Sequence, residues 1–326
     1  MPHMRTIRKA CAIVLGIAML SACGSRGPAD TSTKPPLPSA PSFEGTYQFD
    51  FDGAQQLAGG ELKPTNSRTR LYAVRSTCLE TGCIATATKL EDGNPKKKSD
   101  PAVDLVLDYV NGHWQMAVRE DATCTDSTSH GPAITVWILQ PQPDGTLNGT
   151  SSVAMNPNPD CGVATQTPIR VKRVGDVDLN VAVANPARQA SLSPTASAPN
   201  GLHGHYNETS VLRGDERSRP GVRRVFLQTT CVRNTDICAT FRSFLSATQT
   251  QIVNSLLFDN GKWALNQRVD VNCPNGRVAK TVKHEEYALP QPADRPLQRL
   301  TGTMRFDAAE SCPAQQVDIS LERTGD

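Results

Sequence analysis

Val103-Asp104-Leu105-Val106-Leu107-Asp108-Tyr109-Val110-Asn111-Gly112-His113-Trp114 is the stretch that decides the fold. Val103, Leu105, Leu107 and Tyr109 recur at every second position with Asp104 and Asp108 between them. That is the period of a strand burying one face. Asn111-Gly112 follows at once. Asn-Gly between apolar runs is the strongest short hairpin signal, because a type I′ turn needs positive φ at both central residues.

Outward from it the same period returns. Tyr47, Phe49 and Phe51 alternate with Gln48, Asp50 and Asp52, and Val317, Ile319 and Leu321 with Asp318, Ser320 and Glu322. Asp144-Gly145 marks a further turn. No long segment carries a helical stripe. The hairpin itself recurs as Asn260-Gly261-Lys262-Trp263, and its surroundings recur with it. Gly45-Thr46-Tyr47 is echoed by Gly204-His205-Tyr206, and Thr77-Cys78 with Cys83 by Thr230-Cys231 with Cys238. Cys124 and Cys161 match Cys273 and Cys312; Leu147-Asn148-Gly149-Thr150 matches Leu300-Thr301-Gly302-Thr303. Both copies close on Arg-x-Gly-Asp, Arg173 to Asp176 and Arg323 to Asp326. A whole folding unit is duplicated. Each copy is expected to be all-β, with about six to eight antiparallel strands. A closed barrel is preferred because it removes exposed edges, and a two-sheet sandwich is the alternative.

The N-terminus reads as an export signal. Arg5, Arg8 and Lys9 precede the apolar run Cys11 to Leu20, which is too short to span a bilayer. It ends at Leu20-Ser21-Ala22-Cys23, which resembles the bacterial lipobox and implies a lipid anchor on Cys23. The expected organisation is signal peptide 1–22, Pro/Ser-rich tether 23–42, β unit 43–176, linker 177–202 and β unit 203–326, with Val177 to Ala184 either packing on the first unit or belonging to the linker.

Ten cysteines are present. Cys11 and Cys23 belong to the signal, which leaves four in each exported repeat and implies disulfides. Four cysteines allow three pairings. Cys78–Cys83 with Cys124–Cys161, and Cys231–Cys238 with Cys273–Cys312, is favoured, because the close pair changes spacing between copies yet remains a pair. Sequence alone leaves the other pairings open. Each longer bridge would contribute roughly 4 kcal/mol in the chain-entropy model.

A metal site is not expected: no Cys-x-x-Cys occurs, and no histidine recurs beside the cysteines in both copies. His203-Gly204-His205 and His284-Glu285-Glu286 are private to the second copy. Trp114 and Trp263 read first as core anchors and second as candidate ligand-stacking residues. Trp137 has no counterpart in the second copy. The closing Arg-x-Gly-Asp reads as an exposed arginine before a turn. The cluster Arg217, Arg219, Arg223 and Arg224 reads as a solvated loop rather than a glycan or phospholipid site. A formal net charge of +2 gives no basis for nucleic-acid binding. No nucleophile elbow or phosphate loop occurs, and no histidine is duplicated, so an enzyme and a cofactor are not expected.

Gly-x-Tyr, the paired cysteines, Asn-Gly-x-Trp, Pro141-x-Pro143-Asp144-Gly145-x-Leu147 and the closing Arg-x-Gly-Asp together resemble a module of mycobacterial envelope proteins. The module is similar to the extracytoplasmic regions of some mycobacterial Ser/Thr protein kinases and to related lipoproteins. The second copy departs from it where Asp294 is followed by Arg295 rather than glycine. The resemblance implies sensing or binding outside the membrane. It does not imply kinase activity, because the Gly-rich nucleotide loop, the His-Arg-Asp loop and Asp-Phe-Gly are absent. The expectation is an envelope lipoprotein, anchored to the outer face of the cell membrane through Cys23, that binds a glycan, lipid or protein partner without catalysis. A barrel carrier of a lipid or small apolar ligand is one alternative. A hydrolase assembled from distant residues is the other.

Overall fold

The alternating stretches form strands in a computed structural model. It describes residues 39–124, 130–155, 159–161, 163–190, 197–214, 219–245, 250–273, 276–309 and 312–326. The expected signal peptide, Cys23 and most of the tether lie outside the described residues. The first copy contributes β1 (Gly45–Phe51), β2 (Arg68–Leu79), β3 (Gly82–Glu91), β4 (Asp104–Val110), β5 (His113–Thr123), β6 (His130–Pro141), β7 (Leu147–Met155) and β8 (Thr165–Gly175). Each strand pairs antiparallel with the next, and β8 pairs back onto β1. The second copy contributes β9 (Gly204–Leu212), β10 (Gly221–Cys231), β11 (Cys238–Leu245), β12 (Thr250–Asp259), β13 (Lys262–Asn272), β14 (Val278–Ala288), β15 (Arg299–Phe306) and β16 (Gln315–Gly325). These also close into a barrel. The fold is therefore two tandem eight-stranded barrels, and the sandwich alternative falls.

Closure explains the repeated motifs. Where β1 meets β8 the register slips between Thr46 and Tyr47, and where β9 meets β16 it slips between His205 and Tyr206. Gly45 (φ +132°) and Gly204 (φ +105°) precede these slips. A Cβ there would lie 2.7 Å from the Gly175 carbonyl oxygen or 2.4 Å from that of Gly325. Arg173 donates from Nε to the Glu44 carbonyl at 3.0 Å and pairs with Asp176. Arg323 does the same with His203 at 3.4 Å and with Asp326. Gly-x-Tyr and Arg-x-Gly-Asp recur because they are the two sides of one seam. Arg173 is exposed, as expected of an arginine before a turn, whereas Arg323 is largely buried; both form a clasp across the closure.

The other repeated turns have equally local causes. Asn111 and Asn260 hold φ of 50° and 52°, followed by Gly112 and Gly261 at 84° and 80°, as type I′ turns require. Cys78–Cys83 and Cys231–Cys238 cross the β2–β3 and β10–β11 connections, and Cys124–Cys161 and Cys273–Cys312 tie the far ends.

Two packing features complete the arrangement. Residues 177–190, read as part of a linker, lie on the first barrel: Val181 and Val183 cluster with Ala73 and Leu90, and Thr86 Oγ1 donates to the Ala184 carbonyl at 2.6 Å. The barrels also share an apolar cluster in which Ile134, Val136, Ala154 and Ala164 meet Ala239 and Phe241. Arg233 of the second barrel pairs with Asp108 of the first and donates to the Gln189 carbonyl at 2.8 Å. This contact explains why β11 buries both of its faces.

Candidate ligand cavity

One end of the first barrel is filled. Phe43, Tyr47 and Trp114 close it beside Cys78–Cys83, with Phe43 and Tyr109 rings 5.6 and 5.1 Å from Trp114. The opposite end opens into a cavity of about 640 Å³ lined from all eight strands. That volume is in the range of small-molecule sites. Its aromatic floor comes from the alternation that decided the fold. Phe51 at the end of β1, Tyr72 in β2 and Trp137 in β6 point inward, and Trp137 lies 5.6 Å from Phe51 and 5.7 Å from Tyr72 between ring centroids. The indole Nε1 donates to Ser151 Oγ at 3.1 Å, which fixes the plane of the ring. Leu105, Met116 and Val118 continue the apolar wall.

Charge is concentrated on β2 and β3. Arg68, Arg70 and Tyr72 share the inward face of β2, and Lys89 of β3 stands directly across from Tyr72. Arg70 is paired with Asp92 at 2.9 Å. Arg68 lies over the Phe51 ring at 4.8 Å. Among the described residues, neither Arg68 nor Lys89 has a carboxylate partner. Tyr72 is only 5% exposed, and its hydroxyl has no protein hydrogen-bond partner among the described residues. Burial pushes its pKa up to about 12, outweighing the opposing pull of Arg68 and Arg70, so it faces the cavity as a neutral phenol. The carboxylates of the lining are engaged: Glu120 accepts from Thr135, and Asp160 pairs with Arg268 of the second barrel.

The second barrel builds the same layer from different chemistry. Four residues beyond Gly45, four beyond Cys83 and two before Leu139, the partner of Trp114, stand Phe49, Ala87 and Trp137. The matching places beyond Gly204 and Cys238, and before Tyr287, the partner of Trp263, hold Glu208, Arg242 and Glu285. Arg242 is 1% exposed. It donates to Glu285 at 2.5 and 2.8 Å, to Glu208 at 2.9 Å and to Asn254 at 2.8 Å. Tyr287 donates to Glu285 at 2.9 Å, and Lys283 lies 3.3 Å from the same carboxylate. Burial alone would raise the Glu285 pKa. Arg242 and Lys283 more than reverse it and hold the carboxyl far below the usual range. Burial likewise opposes the charge on Arg242, yet Glu285 and Glu208 hold its pKa well above the ordinary value. Above this layer, Arg223 pairs with Glu208 and covers the Phe244 ring at 4.3 Å. Arg223 therefore belongs to the barrel and not to a solvated loop; Arg217 lies outside the described residues.

The sequence-derived candidates fall elsewhere. Trp114 and Trp263 are 1% and 0% exposed, at the filled ends, and the Trp263 indole donates to Thr240 Oγ1 at 3.1 Å. Burial on all sides leaves neither free to stack on a ligand, so both are core anchors. The eight cysteines Cys78, Cys83, Cys124, Cys161, Cys231, Cys238, Cys273 and Cys312 are all in disulfides. His284 lies between Asn266 at 2.7 Å and Asp307 at 3.0 Å, and His203 contacts the Asn200 carbonyl at 3.0 Å. Among the described residues, no histidine is hydrogen-bonded to a serine or cysteine side chain, and no group of three or more His, Cys, Asp or Glu is placed to hold a metal. The floor residue Trp137 was visible in the sequence only as the tryptophan without a counterpart. That was its signal, because what the copies share is scaffold and what they do not share is free to differ in use.

Residues 40–188, the cavity-bearing barrel with the strap behind it, match the family model described as the PknI serine/threonine-protein kinase sensor domain. The serine/threonine-protein kinase PknI of Mycobacterium bovis and that of Mycobacterium tuberculosis are each 25% identical to the chain over 199 residues, covering 58% of it and 34% of the kinase. The chain thus spans about a third of the length of the curated relatives it matches. Among solved structures, the monomer form of the M. tuberculosis PknI sensor domain is 26% identical, covering 46% of this chain and 99% of that one, with a TM-score of 0.41. The dimer form is 27% identical, covering 39% and 87%, with a TM-score of 0.33. The chain resembles the extracytoplasmic region of a mycobacterial Ser/Thr kinase, and within it the resemblance to the sensor model falls on the first barrel.

Proposed function

We propose that the chain is an exported, sensor-like binding module that takes a small ligand into its first barrel and performs no catalysis on it. One observation carries this reading. In the first copy the space beyond the Trp137 layer opens into a cavity of about 640 Å³, whereas the matching layer of the second copy carries the buried ion cluster around Arg242. The match of residues 40–188 to a kinase sensor domain supports it, since that match covers the open barrel. Attachment to the outer face of the membrane through Cys23 is part of the proposal, resting on the lipobox resemblance. The carrier alternative shares the cavity but called for an apolar interior; the cationic wall of Arg68, Arg70 and Lys89 favours recognition over simple apolar storage. Native mass spectrometry of the protein extracted from its own envelope tests the reading. A defined noncovalent mass should leave on denaturation and be missing from a Val118→Trp variant, whose indole would occupy the cavity. A bare wild-type protein, or a mass that persists in the variant, would contradict it.

A further inference from the structure

We infer that the ligand of the first barrel is an anionic amphiphile, a single apolar chain ending in a carboxylate or phosphate. This rests on the reading of the cavity as a binding site. The head is assigned to the wall where Tyr72 and Lys89 face each other across β2 and β3, with Arg68 four residues from Tyr72 along β2. Three donors converge there. A nearly buried phenol has no protein acceptor, and two cations have no carboxylate partner among the described residues. The Tyr72 hydroxyl opens on the cavity, so a ligand that displaces water from it must supply an acceptor, and an anionic oxygen is the acceptor that also answers two cations. The tail is assigned to the adjoining floor and wall, where Trp137, in ring contact with Tyr72, and Leu105, Met116 and Val118 present apolar surface. Neither half suffices alone. A free anion would leave the aromatic floor wet, and a neutral chain would bury Tyr72 and Lys89 without an acceptor. Of the carboxylates in the lining, Asp160 is paired with Arg268, while Glu120, bonded among the described residues only to the Thr135 hydroxyl, keeps a charge that reaches Tyr72 and opposes the pull of Arg68 and Arg70 there.

The test is a titration of the full chain carrying Cys23→Ser and purified without detergent, followed by calorimetry. The probes are sodium dodecanoate, dodecyl phosphate, dodecanol and inorganic phosphate, each below its micellar range. Dodecanoate and dodecyl phosphate should bind one to one, and dodecanol and inorganic phosphate at least about tenfold more weakly. Lys89→Met and Arg68→Gln should each narrow the gap between dodecyl phosphate and dodecanol by weakening the binding of dodecyl phosphate. The relative strength of the two anionic probes tells a fatty-acid-like ligand from a phospholipid-like one. Dodecanol binding as tightly as dodecanoate would overturn the anionic head and leave the cavity standing as a site. Inorganic phosphate binding as tightly as dodecyl phosphate would overturn the tail. Failure of all four probes would overturn the cavity reading itself.

Discussion

Arg242 sits in the middle of a barrel between the carboxylates of Glu208 and Glu285, its side chain only 1% exposed. Such a cluster is stable only as a set, because removing one member strands the charges of the others. Arg242→Met should destabilise the chain by roughly 3–5 kcal/mol, read from denaturant unfolding, for that reason. A loss below about 1 kcal/mol would mean that water reaches Glu208 and Glu285 after all. The same cluster fixes an acid dependence. Glu285 has a folded pKa well below its unfolded value of about 4.3, so the stability it contributes is present above that pH and is lost as pH falls below it. The melting temperature should drop between about pH 4.3 and pH 2 in the wild type. It should drop less in Glu285→Gln; parallel slopes would remove Glu285 as the cause. Tyr72 and Tyr206, both pushed up to about 12 by burial, act at the other extreme. Their contribution is present below about pH 10 and lost as pH rises toward 12.

At the scale of elements, two glycines hold adjacent barrel strands at their closest approach. A Cβ on Gly149 would lie 1.9 Å from the Ile138 carbonyl oxygen, and one on Gly302 would lie 2.2 Å from that of Glu286. The obstacle is backbone in both cases, so the strand must move. Gly149→Ala and Gly302→Ala should each cost more than about 2 kcal/mol, measured by chemical denaturation, whereas Gly131→Ala should cost little because open space surrounds it. This is also where sequence was most legible. Alternation gave the strands, Asn-Gly gave the hairpins, and duplication marked which residues are scaffold. Closure was argued from edges, but its device, Arg173 and Arg323 folding back over Gly45 and Gly204, was not readable. It needs residues far apart in the chain to meet. The cavity floor was hidden for a related reason: Trp137 lies in the unbroken apolar run Val136-Trp137-Ile138-Leu139, where alternation does not say which face turns inward, and only the closed barrel does.

On the whole-molecule scale the repeats are not beads on a string. The strap of residues 177–190, the shared cluster around Phe241, and the Arg233–Asp108 pair join them side by side. Asp108→Ala leaves the Arg233 guanidinium, only 14% exposed, without its carboxylate at this contact. It should cost roughly 2 kcal/mol and split a single unfolding transition into two, followed by calorimetry. One sharp transition in the variant would show that the apolar cluster alone couples the barrels. Duplication followed by divergence then has a physical reading: among the described residues, the second barrel carries a buried ion cluster in the layer that, in the first, borders the cavity.

That asymmetry is most directly measured with tryptophan as the reporter. A chain retaining only Trp137 (with Trp114→Phe and Trp263→Phe) and a chain retaining only Trp263 (with Trp114→Phe and Trp137→Phe) would be compared for collisional quenching by acrylamide. Trp137 borders the cavity, and Trp263 is wholly enclosed. The account predicts quenching several-fold more efficient for the Trp137 chain, and lower again once dodecanoate is added. Equal, weak quenching of both would mean that the first barrel is as filled as the second, and would contradict it.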